Sequence, residues 1–159
     1  MRVFIFDLDE TVIDSRHRTP NNPDGTLNLA AYIERHTPEN VARDTLLPLA
    51  NVMRDLIARG EKVWILTARD MMQCDYDFLA QHGLTAAKIM SRDQCRSAKH
   101  YKSGDGEYKR KWLAPLRNLK QFAKAHFIMF DDAKPVLSTM RKMGITCLNA
   151  HTVNRNLAL

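Results

Sequence analysis

The run Phe4-Ile5-Phe6-Asp7-Leu8-Asp9-Glu10-Thr11 decides the fold. It is an apolar, β-type stretch that begins at Arg2 and finishes abruptly in carboxylates. A second run, Phe127-Ile128-Met129-Phe130-Asp131-Asp132, repeats the pattern towards the other end. Strands of a parallel sheet covered on both faces read as continuous apolar runs, and open α/β sheets gather their ligands at the carboxyl ends of their strands. Four acidic groups at two such ends would converge on one cation. The chemistry this implies is magnesium-assisted phosphoryl transfer through an aspartate.

Outward from these runs, strand and helix signals alternate. Residues 62–66, 87–90 and 145–148 predict further strands beside 2–6 and 126–130. Leu46, Leu49, Met53, Leu56 and Ile57 fall on one face of a helix stopped by Gly60. Helices are also expected over 70–82, with Gly83 as its cap, and over 134–142, with Gly144 beyond it. A helix beginning at Tyr108 should end or kink at Pro115, with 116–124 resuming it. Residues 14–40 read as an excursion punctuated by Pro20, Asn21-Asn22-Pro23-Asp24-Gly25 and Pro38, holding one short helix near 29–35. The polar tail 150–159 is expected to fray. Such alternation predicts one α/β domain over 1–159, a three-layer, Rossmann-like arrangement of a central parallel sheet with helices on both faces.

The 159 residues suffice for one core, and 45% apolar with 26% charged residues is ordinary for a globular protein. No apolar run is long enough to span a bilayer and the chain enters a strand without a signal pattern, so a cytoplasmic location in a bacterial or phage-infected cell is expected. Cys74, Cys95 and Cys147 are odd in number and lack C-x-x-C spacing, which points to reduced thiols rather than zinc or a catalytic cysteine. The net charge is +6 although the expected site is acidic. Arg92, Arg96, Lys99, His100, Lys102, Lys109, Arg110 and Lys111 crowd one segment. That run is either a solvated face or a surface for an anion larger than phosphate, such as a nucleotide or a nucleic-acid end.

The ordered set carries more than its members. Asp7-x-Asp9-x-Thr11 follows the first strand, Thr67 ends the second in Ile65-Leu66-Thr67-Ala68-Arg69, Lys109 lies later, and Asp131-Asp132 ends the fourth. In a parallel sheet all four fall on one edge. The set resembles the haloacid dehalogenase-like phosphatase superfamily over essentially the whole chain. That resemblance implies Mg²⁺ held by Asp7, the Asp9 backbone carbonyl, Asp131 and Asp132 in an oxygen-only shell. It implies Asp7 as the nucleophile that forms an aspartyl-phosphate, and Asp9 as the acid and base for leaving group and water. Thr67 would bond the phosphoryl oxygens and Lys109 would offset their charge. Lys102 and Lys111 are rival lysines; the Gly-Asp-Gly turn before Glu107-Tyr108-Lys109 favours Lys109. Asp132 is expected to ligate the metal directly and Asp131 to orient metal-bound water or Lys109. Thr11 would shape the turn. The family's usual glycine after the second aspartate is here Glu10, read chiefly as a solvated group.

Closer matches lie in Asp14-Ser15-Arg16-His17-Arg18, Thr67-Ala68-Arg69, Ile89-Met90-Ser91-Arg92, Tyr108-Lys109 and Met140-Arg141-Lys142-Met143-Gly144-Ile145-Thr146-Cys147. These resemble the phosphatase half of bacteriophage polynucleotide kinase-phosphatases. No Gly-x-x-x-x-Gly-Lys-Ser/Thr is present, so only a phosphatase activity carries over. The resemblance implies removal of 3′-phosphates from nucleic-acid ends, with Arg16, Arg18, Arg69 and Arg92 as candidate substrate contacts. The insertion 14–40 is too short for a helical cap domain, so a minimal cap or none, and an open site, are expected. The alternatives are a 5′(3′)-nucleotidase acting on free mononucleotides, and a catalytically idle nucleic-acid-binding or regulatory protein of the same fold. Trp64 reads as core, while Tyr108 and Trp112 either pack helices or stack on a base.

Overall fold

The computed structural model describes residues 1–159. In chain order the strands are β1 (Arg2–Phe6), β2 (Ile13–Asp14), β3 (Thr45–Leu46), β4 (Lys62–Leu66), β5 (Lys88–Met90), β6 (His126–Asp131) and β7 (Thr146–Asn149). The helices are α1 (Leu29–Arg35), α2 (Pro38–Ala42), α3 (Leu49–Ala58), α4 (Gln73–Gln81), α5 (Ala98–Tyr101), α6 (Asp105–Arg117), α7 (Lys134–Lys142) and α8 (Ala150–Leu157). Five strands pair in parallel in the order β5-β4-β1-β6-β7. The central parallel sheet read from the sequence is therefore present.

β1 is the centre of that sheet, and its unbroken apolar run follows from burial on both faces. Val3 and Ile5 join Trp64, Leu113, Met129, Val136 and Met140 on one side. Phe4 and Phe6 meet Leu49, Met53, Ile65, Phe78 and Leu79 on the other. The period-two alternation of a strand assigns each set to its face. Phe6 stacks on Phe130 of the neighbouring strand, with ring centroids 4.7 Å apart. Trp64 is core, as expected. Gly83 and Gly144 close α4 and α7 with φ of +70° and +79°, a conformation open to glycine at no steric cost.

The insertion after β1 is bracketed by a small antiparallel ribbon, β2 with β3. Inside it lie the 3₁₀ turn Arg16–Arg18, α1 and α2. Asn28 caps α1 by accepting from Ala31 N, and Thr37 caps α2 with Pro38 in its first turn.

Two expectations are corrected. α6 runs unbroken from Asp105 to Arg117 and carries Pro115 within its last turn; a short 3₁₀ turn at Lys120–Phe122 follows in place of a resumed helix. A proline so near the end removes one hydrogen bond from a turn that is about to stop. The tail does not fray: Asn149 caps α8 by accepting from His151 N and Thr152 N. Ala150, Val153 and Asn154 then turn one face onto the core. The inward polar residue, Asn154, donates to Thr11 O at 2.9 Å and accepts from Leu49 N at 2.8 Å. No helix is long and apolar enough to cross a membrane.

Asn154→Ala would leave the Thr11 carbonyl and the Leu49 amide buried without partners. Urea unfolding should show a loss of about 2 kcal/mol, with the m-value unchanged.

Candidate functional site

The carboxyl ends of β1, β4 and β6 bring the predicted motifs together. Asp7 leaves β1 with its amide donating to Phe130 O at 3.0 Å, which sets its side chain beside Asp131 at the tip of β6. Lys109 reaches this pair from α6: its Nζ donates to Asp7 Oδ1 at 3.0 Å and to Asp131 Oδ2 at 2.6 Å. The other Asp131 oxygen accepts from Ala133 N at 2.9 Å, at the start of α7. Both Asp131 oxygens are thus engaged, whereas Asp132 meets only His151 of α8, at 3.8 Å. Of the three rival lysines, Lys109 is the one in this cluster; Lys111 Nζ donates to Ser103 Oγ and Lys102 is exposed.

Two local features hold α6 at this distance. Gly106 packs so closely on α7 that a Cβ would lie 2.9 Å from Thr139 Oγ1. Tyr108, fully buried, donates its hydroxyl to Thr67 O at 2.7 Å. Trp112 packs at the edge of the same core. Helix packing is therefore what both aromatics do here.

Charge in this cluster is out of balance. Burial raises the Asp7 pKa well above the usual range, and the Asp131, Asp132 and Asp9 carboxylates add to it while Lys109 opposes. Burial and Asp131 also raise Asp132. Lys109 stays charged because Asp7 and Asp131 overcome the burial that would neutralise it. Oxygens of Asp7, Asp131 and Asp132 lie within 4.8 Å of one another. Three carboxylates in a buried, oxygen-only set fit a hard divalent cation, and the raised Asp7 and Asp132 are what an added positive charge would correct.

A second charged cluster surrounds Asp9. Arg69 donates to both Asp9 oxygens, from Nε at 2.9 Å and Nη2 at 2.7 Å, and from Nη1 to Asp75 at 2.7 Å. Ser15 Oγ adds 2.8 Å and the Tyr32 hydroxyl 3.4 Å. Burial would raise the Asp9 pKa, but Arg69, by charge and by hydrogen bond, holds it well below the carboxylate range. Asp75 also accepts from Met72 N and lies 2.8 Å from His36 Nε2. Arg18 forms a two-point pair with Asp44, at 2.9 Å on each oxygen, and keeps its buried Nη1 without a partner. Thr67 is fully buried and accepts from Arg69 N at 3.1 Å, leaving its own hydroxyl proton available.

The four arginines expected as substrate contacts all have partners within the protein. Arg69 and Arg18 are buried among carboxylates rather than displayed as free cations. Arg92 pins the turn between α5 and α6 through Tyr101 O, Ser103 O and Asp105, with its guanidinium 4.3 Å from the Tyr108 ring centroid. Arg16 is exposed and paired with Asp14 and Glu10. Glu10 is no free solvated group either. It adopts φ +59° in place of the usual glycine and accepts from Ser15 N at 3.2 Å. Its pKa is pushed up to about 7 by burial first and by the nearby carboxylates. Asp44, His36 and Tyr32 were not legible in sequence, since each is an isolated polar residue whose partner lies far along the chain, whereas Asp75, six positions from Arg69, was a readable partner for it.

The whole chain, residues 1–159, matches the family model described as bacteriophage T5 5′-deoxynucleotidase. The 5′-deoxynucleotidase of Escherichia phage T5 is 33% identical over 174 residues, covering 99% of this chain and 70% of that enzyme. Among solved structures, a chain of the Pnkp1/Rnl/Hen1 complex superposes with a TM-score of 0.66 at 20% identity, covering 93% of this chain. The present chain spans 45% of that longer one. A haloacid dehalogenase-like hydrolase from Streptococcus pneumoniae gives 0.64 at 15% identity, covering 92% of this chain and 83% of its own. At such identities the solved structures establish a shared fold.

The Asp75 carboxyl is depressed because its His36 hydrogen bond and the Arg69 charge outweigh the burial that would raise it. Its ionisation therefore stabilises the fold fully above the usual carboxylate value near ~4, and that contribution is lost as pH falls through the depressed value. Asp75→Asn should be about 3 kcal/mol less stable than the parent at pH 7. Urea midpoints taken from pH 7 downward should show that gap closing in acid.

Proposed function

The chain belongs to the bacteriophage T5 5′-deoxynucleotidase family, and we propose that it acts as a haloacid dehalogenase-like phosphatase, hydrolysing deoxynucleoside 5′-monophosphates through an aspartyl-phosphate on Asp7. The observation that carries the chemistry is the buried Asp7–Lys109–Asp131 cluster with Asp132 beside it. Family membership across the full chain supports the choice of substrate.

Asp7 attacks phosphorus as the bond to the nucleoside oxygen breaks, and Asp9 delivers a proton to that oxygen, releasing the nucleoside. Asp9 then takes a proton from water, whose oxygen attacks the aspartyl-phosphate and frees inorganic phosphate and Asp7. The Arg69 pairing keeps Asp9 as a carboxylate, ready for the second task. For the first, Asp9 must exchange that contact for a proton. Lys109 and the free Thr67 hydroxyl proton oppose the charge that spreads over the phosphoryl oxygens, and the unpartnered Arg18 Nη1 is a further donor for them. Asp7, Asp132 and the Asp9 carbonyl would hold Mg²⁺, which when bound would supply the charge neutralisation an anionic nucleophile needs to meet a dianion. The two engaged oxygens of Asp131 support its role in fixing Lys109 rather than in direct ligation. Unpaired cysteines suit the reducing cytoplasm.

Removal of 3′-phosphates from nucleic-acid ends is the second reading, favoured by the exposed cations Arg96, Lys99 and Lys102. Against it, Arg16, Arg69 and Arg92 direct their guanidinium groups to carboxylates and carbonyls within the protein.

One panel separates the readings: 5′- and 3′-deoxymononucleotides against oligonucleotides bearing a terminal 5′- or 3′-phosphate, each with Mg²⁺ and with chelator. The 5′-mononucleotides should turn over fastest, and chelator should stop turnover. Oligonucleotide 3′-ends outpacing them would establish the second reading instead. Asp7→Asn should lower kcat by roughly 10⁴-fold or more. Activity surviving that change would remove the aspartyl-phosphate mechanism.

A further inference from the structure

A second group of metal-type donors lies outside the acidic cluster. A ring nitrogen of His36, the Cys74 sulfur and a carboxylate oxygen of Asp75 all fall within 4.8 Å of one another. His36 closes α1 as its C-cap, while Cys74 and Asp75 belong to the first turn of α4. His36 and Asp75 are 39 positions apart, so the spacing of the cysteines cannot reveal the group.

These donors differ in kind from those around Asp7. Nitrogen and sulfur beside one carboxylate suit a borderline cation such as Zn²⁺, whereas Mg²⁺ prefers oxygen alone. Tetrahedral ligand atoms around zinc stand roughly 3.5 Å apart, so the three side chains need only small movements to close on one ion.

Asp75 can take that ion without losing its other partners. It accepts from Arg69 Nη1 at 2.7 Å on Oδ1 and from Met72 N at 2.8 Å on Oδ2. The remaining contact is His36 Nε2, at 2.8 Å from Oδ2 and 3.0 Å from Oδ1. A metal would stand in place of the proton shared there. Cys74 is a free, half-buried thiol, kept protonated by burial and by the Asp75 charge. Binding would release its proton to solvent, and the resulting thiolate and the carboxylate together balance a divalent charge.

We propose that His36, Cys74 and Asp75 form a second metal site, distinct in chemistry from the acidic cluster, that takes Zn²⁺ or a cation of like softness with water as the fourth ligand. The bound ion ties the end of α1 to the start of α4.

Co²⁺ is the probe, because a cobalt–thiolate bond gives a near-ultraviolet charge-transfer band that oxygen ligands do not. The full chain is titrated with Co²⁺ while excess Mg²⁺ keeps the acidic cluster filled. The band should saturate at one Co²⁺ per chain, and Zn²⁺ should displace it. Cys74→Ser should remove the band, whereas Cys95→Ser and Cys147→Ser should keep it. His36→Gln should weaken Co²⁺ binding by more than about tenfold, the least that loss of even a supporting partner causes. A readout on the parent needs no variant: Zn²⁺ should slow alkylation of Cys74 by iodoacetamide, followed by peptide mass spectrometry. No thiolate band, a band that survives Cys74→Ser, or Cys74 alkylated equally fast with and without Zn²⁺ would overturn the site.

Discussion

The Lys109 ammonium between Asp7 and Asp131 is the contact on which the rest of the site depends. Two carboxylates held this close in a buried place repel strongly, and Asp132 and Asp9 add to the repulsion. One fixed cation makes the grouping tolerable while leaving a surplus of negative charge for a divalent ion. Much of the local structure serves to deliver that ammonium. Gly106 lets α6 approach α7, and Tyr108 ties the same helix to the end of β4. The start of α7 holds the other side of Asp131.

A second network, centred on Arg69, does for the proposed acid and base what Lys109 does for the proposed nucleophile. Arg69 and Arg18 face Asp9, Asp44 and Asp75 in a space almost closed to water. Buried ion pairs of this kind are weak evidence of stability, because apolar residues of similar volume often do as well. Their contribution here is position. Arg69 makes two bonds to one carboxylate and a third to another, so the Asp9 side chain is held in a single orientation. Asp75 and His36 extend that restraint to α1, which buries no residue of its own, while Val41 of α2 anchors the insertion in the apolar core.

The legible and illegible parts of the molecule divide along that line. Strand β1 and the runs ending in Asp7 and Asp131 could be read because apolar continuity is a local signal. Lys109 could be chosen over Lys111 because its place follows a turn that begins a helix. The arginines were visible as residues but not in their full state, since Arg18 meets Asp44 and Arg69 meets Asp9 only after folding. The same non-local pairing hid Tyr32 and His36. α8 was misjudged for a related reason: its inward residue, Asn154, is polar, and its worth lies in two backbone groups more than a hundred positions away.

The insertion after the first motif follows from the same accounting of polar and apolar contacts. An element held by hydrogen bonds and ion pairs, with its aliphatic residues outward, gains little from the hydrophobic effect that fixes the sheet. Its anchors, Tyr32 and His36, are coupled to Asp9 directly or through Asp75 and Arg69. α1 is thus placed by the same charged network that orients Asp9, so one set of contacts holds both the insertion and the proposed acid.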